Sequence, residues 1–266
     1  MFALAEGPYS IILLPTAPSK LIAMAPPRFF CPAPLADGRR IELPAELAHH
    51  AIRVLRLKPD SDIVLFNGEG GQFPARLIID GKAGYADLGH HTPVEAELDG
   101  DMTLVQGIAS GDKMDWVIEK AVELGARRLV PIAAQRSVLQ LGGERLQKRM
   151  KHWRRIAQSA SEQCGRNRIM HIAEPLTLRD YLAAAAEPSC MLFCHPEGPQ
   201  TLREALEAIQ DRLVFLVGPE GGWSDEELAL TARHGLTPVR FGQRVLRTET
   251  AGLALMAAAS ALKGWD

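Results

Sequence analysis

Three short segments carry residues able to grip a small ligand and act on it. They are Gly218-Pro219-Glu220-Gly221-Gly222, then Arg244-Val245-Leu246-Arg247-Thr248-Glu249-Thr250, and Cys194-His195-Pro196-Glu197-Gly198. Glycine lets a backbone turn sharply or approach a ligand closely, so that main-chain amides can read a base or a ribose. Glu249 suits the positive end of a helix start, and Thr248 or Thr250 would serve there as caps. Arg247 fits that place badly, because a cation at a helix start opposes the dipole. A second constellation is basic: Arg145, Lys148, Arg149, Lys151, His152 and Arg155, continued by Gln163, Gly165, Arg166, Asn167 and Arg168. Such a stripe is either a solvated helix face or a seat for phosphates.

The elements that must position these residues follow from periodicity. From 103 onward strands and helices alternate: strands over 103–108, 128–133, 190–194, 213–217 and 238–241, and helices over 112–124, 143–164, 178–186, 201–209, 224–234 and 248–263. That alternation predicts a mostly parallel sheet covered by helices. Each ligand-gripping segment then falls at the carboxyl end of a strand, where open parallel sheets bind ligands. In the helix over 143–164, Leu146, Met150, Trp153, Ala157, Ala160 and Cys164 recur at three and four residues as a buried stripe, with the basic residues opposite. Ser224 and Glu227 have the spacing of a capping box. The final helix is apolar nearly all round, which places it in the core or against a second subunit.

Before 98 the signals differ. A helix is expected over 46–57 and strands over 62–66, 72–79 and 82–87, with a hairpin signal at Asn67-Gly68-Glu69-Gly70-Gly71. These glycines lie between two strands rather than before a helix, so they make a turn and not a phosphate loop. Several short strands in so few residues predict a small β-barrel over 28–98, with a boundary at 95–101 and an α/β domain over 101–266. Residues 1–27 are rich in proline and show no pattern able to bury a core. They are expected to be a disordered extension, or to reflect a start codon chosen upstream of Met24.

Composition narrows the function. Hydrophobic residues make up 47% and the net charge is −2, so nucleic acid would have to be held by a local basic patch rather than by the whole surface. Cys31, Cys164, Cys190 and Cys194 form no C-x-x-C pair, and no metal site is expected. Scattered thiols fit a reducing cytoplasm. No apolar run approaches the ~20 residues of a membrane span. No Gly-Lys-Ser/Thr follows the glycine loops and no G-x-G-x-x-G follows the first strand of the second domain, which disfavours nucleotide hydrolysis and dinucleotide binding.

At these residues the sequence resembles the RsmE-type 16S ribosomal RNA uridine-N3 methyltransferases of the SPOUT superfamily. The matching motifs are Lys113 with Glu119-Lys120 and Glu123-Leu124-Gly125, Arg136-Ser137, Glu162-Gln163-Cys164-Gly165-Arg166-Asn167, 218–222 and 244–251. The resemblance covers 28 to the C-terminus. It implies a PUA-like β-barrel followed by a SPOUT-type α/β domain with a trefoil knot, acting as a homodimer on 16S rRNA of the 30S subunit. It implies S-adenosyl-L-methionine as cofactor, held by Gly218, Pro219, Glu220, Gly221, Gly222, Arg244, Val245, Leu246 and Arg247, with Cys194 and His195 beside them. Arg166 and Arg247 are then candidates to steady charge on the uracil, and Glu249 to take its proton. RNA would lie on Arg145, Lys148, Arg149, His152, Arg155, Arg166, Asn167 and Arg168. Two other readings are a non-catalytic ribosome-assembly factor and a ribose methyltransferase. Intact cofactor loops weigh against the first. Arg247-Thr248-Glu249-Thr250, where ribose enzymes of the superfamily carry an Asn-Val-Ser type segment, weighs against the second.

Overall fold

The computed structural model describes residues 25–81, 83–137, 142–185 and 190–265, so the expected extension over 1–24 lies outside the described residues. The N-terminal part contains β1 (Arg28–Phe30), β2 (Arg40–Glu42), α1 (Ala45–His49), a π-helical turn (His50–Val54), β3 (Asp62–Phe66), β4 (Phe73–Asp80) and β5 (Ala83–Leu88). Its five strands pair in the order β1-β3-β4-β5-β2, with β1 parallel to β3 and the other ladders antiparallel. The sheet is mixed. Along β4 the period of two puts Phe73, Ala75 and Leu77 inward, onto a core shared with Phe29, Cys31, Leu65 and Ala86. The helix expected over 46–57 stops early, because Arg56 takes a left-handed conformation (φ 54°) that a helix cannot continue through.

The second part is β6 (Asp101–Gly107), α2 (Lys113–Glu123), β7 (Arg128–Ile132), α3 (Gly143–Cys164), β8 (His171–Ile172), α4 (Leu178–Ala184), β9 (Met191–Cys194), β10 (Gln200–Thr201), α5 (Leu202–Leu206), β11 (Arg212–Val217), α6 (Asp225–Arg233), β12 (Pro238–Arg240) and α7 (Thr248–Lys263). Every ladder in its seven-stranded sheet is parallel, in the order β10-β12-β9-β11-β6-β7-β8. The central strands are apolar on both faces because helices cover both sides: α2, α3, α5 and α7 on one, α4 and α6 on the other. The last strand, β12, lies outside β9, and α7 then comes back to pack on β11 and β6.

The two parts meet at a polar seam. Gly165 ends α3 in a left-handed conformation (φ 91°) and turns the chain between the domains. Arg28 Nη2 donates to the Gly165 carbonyl at 3.2 Å and to Asn167 Oδ1 at 2.7 Å, and the Phe30 amide donates to Glu162 Oε1 at 2.9 Å. Arg166 is 3% exposed and makes a bidentate pair with Glu97 at 2.9 and 2.7 Å, while its Nη1 donates to the carbonyls of Val122 and Ala126.

These placements correct two expectations. Arg166 is neither at the reacting centre nor open to RNA, and Asn167 is fully buried, with its amide spent on Arg28 and the Val94 carbonyl. Both lie where α2 ends and β7 begins, at the opposite edge of the sheet from the three glycine-bearing loops. The sequence places them in a basic run, but the turn after α3 buries them. Arg166→Ala would leave the Glu97 carboxylate, whose side chain is 9% exposed, charged and unpaired. The expected loss of stability is about 3–5 kcal/mol, read as a lowered urea midpoint. An unchanged midpoint would show that this seam does not hold the domains.

Candidate active site

The carboxyl ends of β6, β11 and the start of α7 are locked to one another. Thr248 Oγ1 donates to the Gly218 carbonyl at 2.5 Å, and Gln106 Nε2 donates to Thr248 Oγ1 at 2.8 Å. The helix cap expected from Thr248 is therefore not made. Arg247 is the N-cap residue and supplies no side-chain cap, while the Thr248 hydroxyl is spent across the site. Gly107 is needed at the end of β6, because a Cβ there would collide with the Pro219 backbone nitrogen.

The 218–222 loop is braced from the other side by β7. A Cβ on Gly221 would come within 2.9 Å of the Arg136 carbonyl. Arg136 Nη1 donates to the Trp223 carbonyl at 3.0 Å. The tight turn itself needs Gly222, at φ +67°. The expected capping box forms: Ser224 Oγ accepts from the Glu227 amide, and Glu227 Oε2 accepts from the Ser224 amide. Glu227 Oε1 also accepts from the Gln135 amide at 3.0 Å, tying the two loops together.

Charge collects at the first turn of α2. Glu220 Oε1 accepts from the Ser110 amide at 2.9 Å, the Ser110 hydroxyl at 2.7 Å and Lys113 Nζ at 3.1 Å. Burial would raise this carboxyl, but those donors together with its own backbone amide outweigh it and hold its pKa down at about 2. Lys113 Nζ also lies 3.9 Å from Glu249 Oε2, an oxygen that is buried without a hydrogen-bond partner. Glu220 Oε1 is thus fully engaged, whereas Glu249 Oε2 is buried and accepts no hydrogen bond. Ser110, Lys113 and Gln106 were not among the expected site residues. Lys113 stood within a matching motif, but nothing in its own neighbourhood of sequence announces the two carboxylates more than a hundred residues away.

The other expected residues line the same edge. The Cys194–Glu197 turn follows β9, with the His195 ring stacked on Phe193 at 6.3 Å and its Nδ1 accepting from the Glu197 amide. Burial pushes the Cys194 thiol up, so it stays protonated and serves as wall rather than nucleophile. Arg244, Val245 and Arg247 are exposed, Val245 at 77%, and Leu246 is partly buried. No hydrogen bond or ion pair engages the Arg247 guanidinium among the described residues. On α3, Arg145, Lys148 and Arg155 are exposed, but His152 Nε2 is 2.7 Å from Asp115 Oδ2 and Arg149 is 3.9 Å from Oδ1 of the same carboxylate. Arg168 is half exposed and 3.7 Å from Glu95.

Buried polar atoms without a partner concentrate here. Gln106 Oε1, Ser137 Oγ, Trp223 Nε1 and Glu249 Oε2 are four of the seven found among the described residues. Buried polar groups are normally satisfied, so such a cluster at one sheet edge marks a place that a polar ligand completes. The arrangement offers a glycine cradle, acceptors and donors for a nucleoside-like ligand, an unsatisfied carboxylate and a neighbouring guanidinium. Among the described residues no group of side chains could hold a metal ion, and no helix is long and apolar enough to cross a membrane.

Comparison with known proteins agrees with this geometry. The RNA methyltransferase domain family matches residues 96–260, and the RNA methyltransferase PUA domain family matches 43–87. The chain is 30% identical to ribosomal RNA small subunit methyltransferase E of Bacillus subtilis, over 85% of this chain and 91% of that one. A methyltransferase of Legionella pneumophila, solved in complex with its cofactor S-adenosylmethionine, is 33% identical with a TM-score of 0.83, covering 91% of this chain and 99% of that one. Ribosomal RNA small subunit methyltransferase E of Neisseria gonorrhoeae, bound to S-adenosylmethionine, is 34% identical with a TM-score of 0.80, covering 89% and 98%.

The Gln106–Thr248–Gly218 link has a direct test. Thr248→Val keeps the shape but removes both bonds, leaving Gln106 Nε2 with only the Gly107 carbonyl, at a cost of about 1–3 kcal/mol. The melting temperature should fall, and Thr248→Ser should restore most of it. Equal melting of Val and wild type would show that the link carries no load.

Proposed function

The chain belongs to the ribosomal RNA small subunit methyltransferase E family, and from that premise we propose that it methylates N3 of a uridine in 16S rRNA, the uridine numbered 1498 in that RNA. The observation that carries this reading is the braced pair of loops, 218–222 and 244–250, with unsatisfied buried polar atoms facing the same sheet edge. S-adenosyl-L-methionine, when bound, supplies a methyl group already activated by its sulfonium. Backbone groups of Gly218, Pro219, Gly221, Gly222, Arg244, Val245 and Leu246 would hold it, with Gln106 and Trp223 beneath and Cys194 and His195 at the side.

Three tasks are left to the chain: to orient the uracil, remove its N3 proton and steady the charge on O2 and O4. Glu249 is the acceptor of choice, since its Oε2 is buried, accepts no hydrogen bond and lies 3.9 Å from Lys113 Nζ. Lys113 donates to Glu220 and lies beside Glu249, and so positions the base rather than touching substrate. Arg247 supplies a planar guanidinium for the developing oxyanion. RNA phosphates fit the exposed cations of α3, chiefly Arg145, Lys148 and Arg155.

The division of labour follows the two sheets, with a PUA-like RNA-holding domain over 28–98 and the methyltransferase domain over 101–266. A homodimer would cover the outward side of α7, where Ala257, Ala261 and Leu262 are exposed, beside Trp116 of α2 at 52% exposure. Cytoplasmic residence suits four cysteines that form no disulfide and a ribosomal substrate.

Nucleoside mass spectrometry tests the activity. Small subunits lacking the modification, incubated with the protein and S-adenosylmethionine, should yield 3-methyluridine. A methylated ribose or no methylated product would overturn the assignment. Gly221→Val should weaken cofactor binding by at least tenfold in calorimetry while the fold persists, because the added side chain drives the loop off the Arg136 carbonyl. Unchanged affinity would remove this loop from the site. Arg247→Ala should lower single-turnover methyl transfer by on the order of a hundredfold with melting unchanged or slightly raised, and Arg247→Lys should recover little. Normal turnover in both variants would leave Arg247 without a role in the chemistry.

A further inference from the structure

A groove of about 700 Å³ runs between the N-terminal sheet and α3, away from the cofactor loops. Phe30, Pro32 and His50 line one wall, and His152, Arg155 and Ser159 the other. Two carboxylates border it. Glu162 Oε1 is already engaged, accepting from the Phe30 amide at 2.9 Å and from Gln158 Nε2 at 3.0 Å, and Glu46 stands in the first turn of α1. An imidazole therefore faces the open space from each wall, with Arg155 as the cation on the α3 side and aromatic and apolar surface between them.

The groove's α3 wall and the Glu220–Glu249 pair both border the first turn of α2. His152 on its rim is bonded to Asp115 at 2.7 Å. Asp115 is two residues along α2 from Lys113, which touches Glu220 and lies near Glu249. Arg145, Lys148, Lys151 and Arg155 continue along α3 over about 15 Å, at ~1.5 Å per residue. A strand whose uracil is held at Glu249 would cross the first turn of α2 to enter the groove.

We propose that this interdomain groove holds single-stranded RNA next to the target uridine, with phosphates on Arg155 and His152 and an unstacked base against His50 and Phe30. The proposal rests on the RNA methyltransferase reading. Unpaired bases are bound by proteins in this way, on aromatic or imidazole rings flanked by cations. The volume falls within the ~300–1,000 Å³ usual for small-ligand sites. The seam of Arg28, Asn167, Arg166 and Glu97 gives the groove a purpose for its rigidity, because both walls must keep their spacing for a base to be clamped between them.

Cross-linking and kinetics on the full chain test it together. RNA fragments of the target region, with 4-thiouridine at successive positions around the target, should cross-link from within about three nucleotides of it to peptides containing Phe30 or His50. Ser159→Trp, at an exposed helix position, fills the groove, and His50→Ala removes one wall. Each should raise the KM for RNA at least fivefold, with cofactor affinity, kcat and melting temperature unchanged. Methylation that proceeds with unaltered KM in both variants, or without cross-links to either wall, would overturn the groove. Cross-links at the groove without any methylation would uphold it and overturn the catalytic reading instead. Impaired methylation of whole subunits but normal methylation of the naked fragment in Ser159→Trp would indicate a protein occupant and overturn the proposal.

Discussion

The Thr248 hydroxyl, 2.5 Å from the Gly218 carbonyl and 2.8 Å from Gln106 Nε2, joins three segments that are far apart in the chain. It sets where α7 begins, and so where Arg247 and Glu249 stand. It also holds the tip of β11, and so the glycine loop. Gly107 and Gly221 are small because this junction is tight: any side chain at either would push the loop off β6 or off Arg136. Close packing of this kind leaves backbone amides exposed to a ligand while keeping them rigid, which is the condition for binding without reordering.

Around that junction the charges are arranged by unequal satisfaction. Two carboxylates share Lys113, yet Glu220 receives three donors and Glu249 is left with an open oxygen. The first is held ionised far below neutrality and braces the loop. The second keeps its capacity to accept a proton. Donors that stabilise the ionised form make Glu220 a poor proton acceptor, and the same ammonium lies beside both carboxylates.

The domain seam plays the corresponding part at the far edge of the sheet. A buried arginine bound to a buried glutamate and two helix-end carbonyls holds the turn after α3 in place. Such a pair contributes little net stability compared with apolar packing, but its fixed geometry prescribes one relative placement of the domains. That placement gives the interdomain groove its two walls.

Much of this was legible in the sequence, for local reasons. The period of α3 identified its buried stripe and both its ends, because 22 residues of amphipathic pattern outweigh any competing signal. The spacing of Ser224 and Glu227 marked the start of α6, since a capping box is a contact within one turn. The glycine loops fell at strand ends because alternating elements of a parallel sheet leave them nowhere else. What only the tertiary structure decided depends on contacts distant in sequence. Arg166 and Asn167 read as part of a basic surface until the fold buried them against Glu97, Val94 and Arg28. Thr248 read as a cap until Gly218 was brought beside it. The pairing of Lys113 with Glu220 and Glu249 had no local trace, because it is created by adjacent parallel strands whose order, β12-β9-β11-β6, differs from their order in the chain.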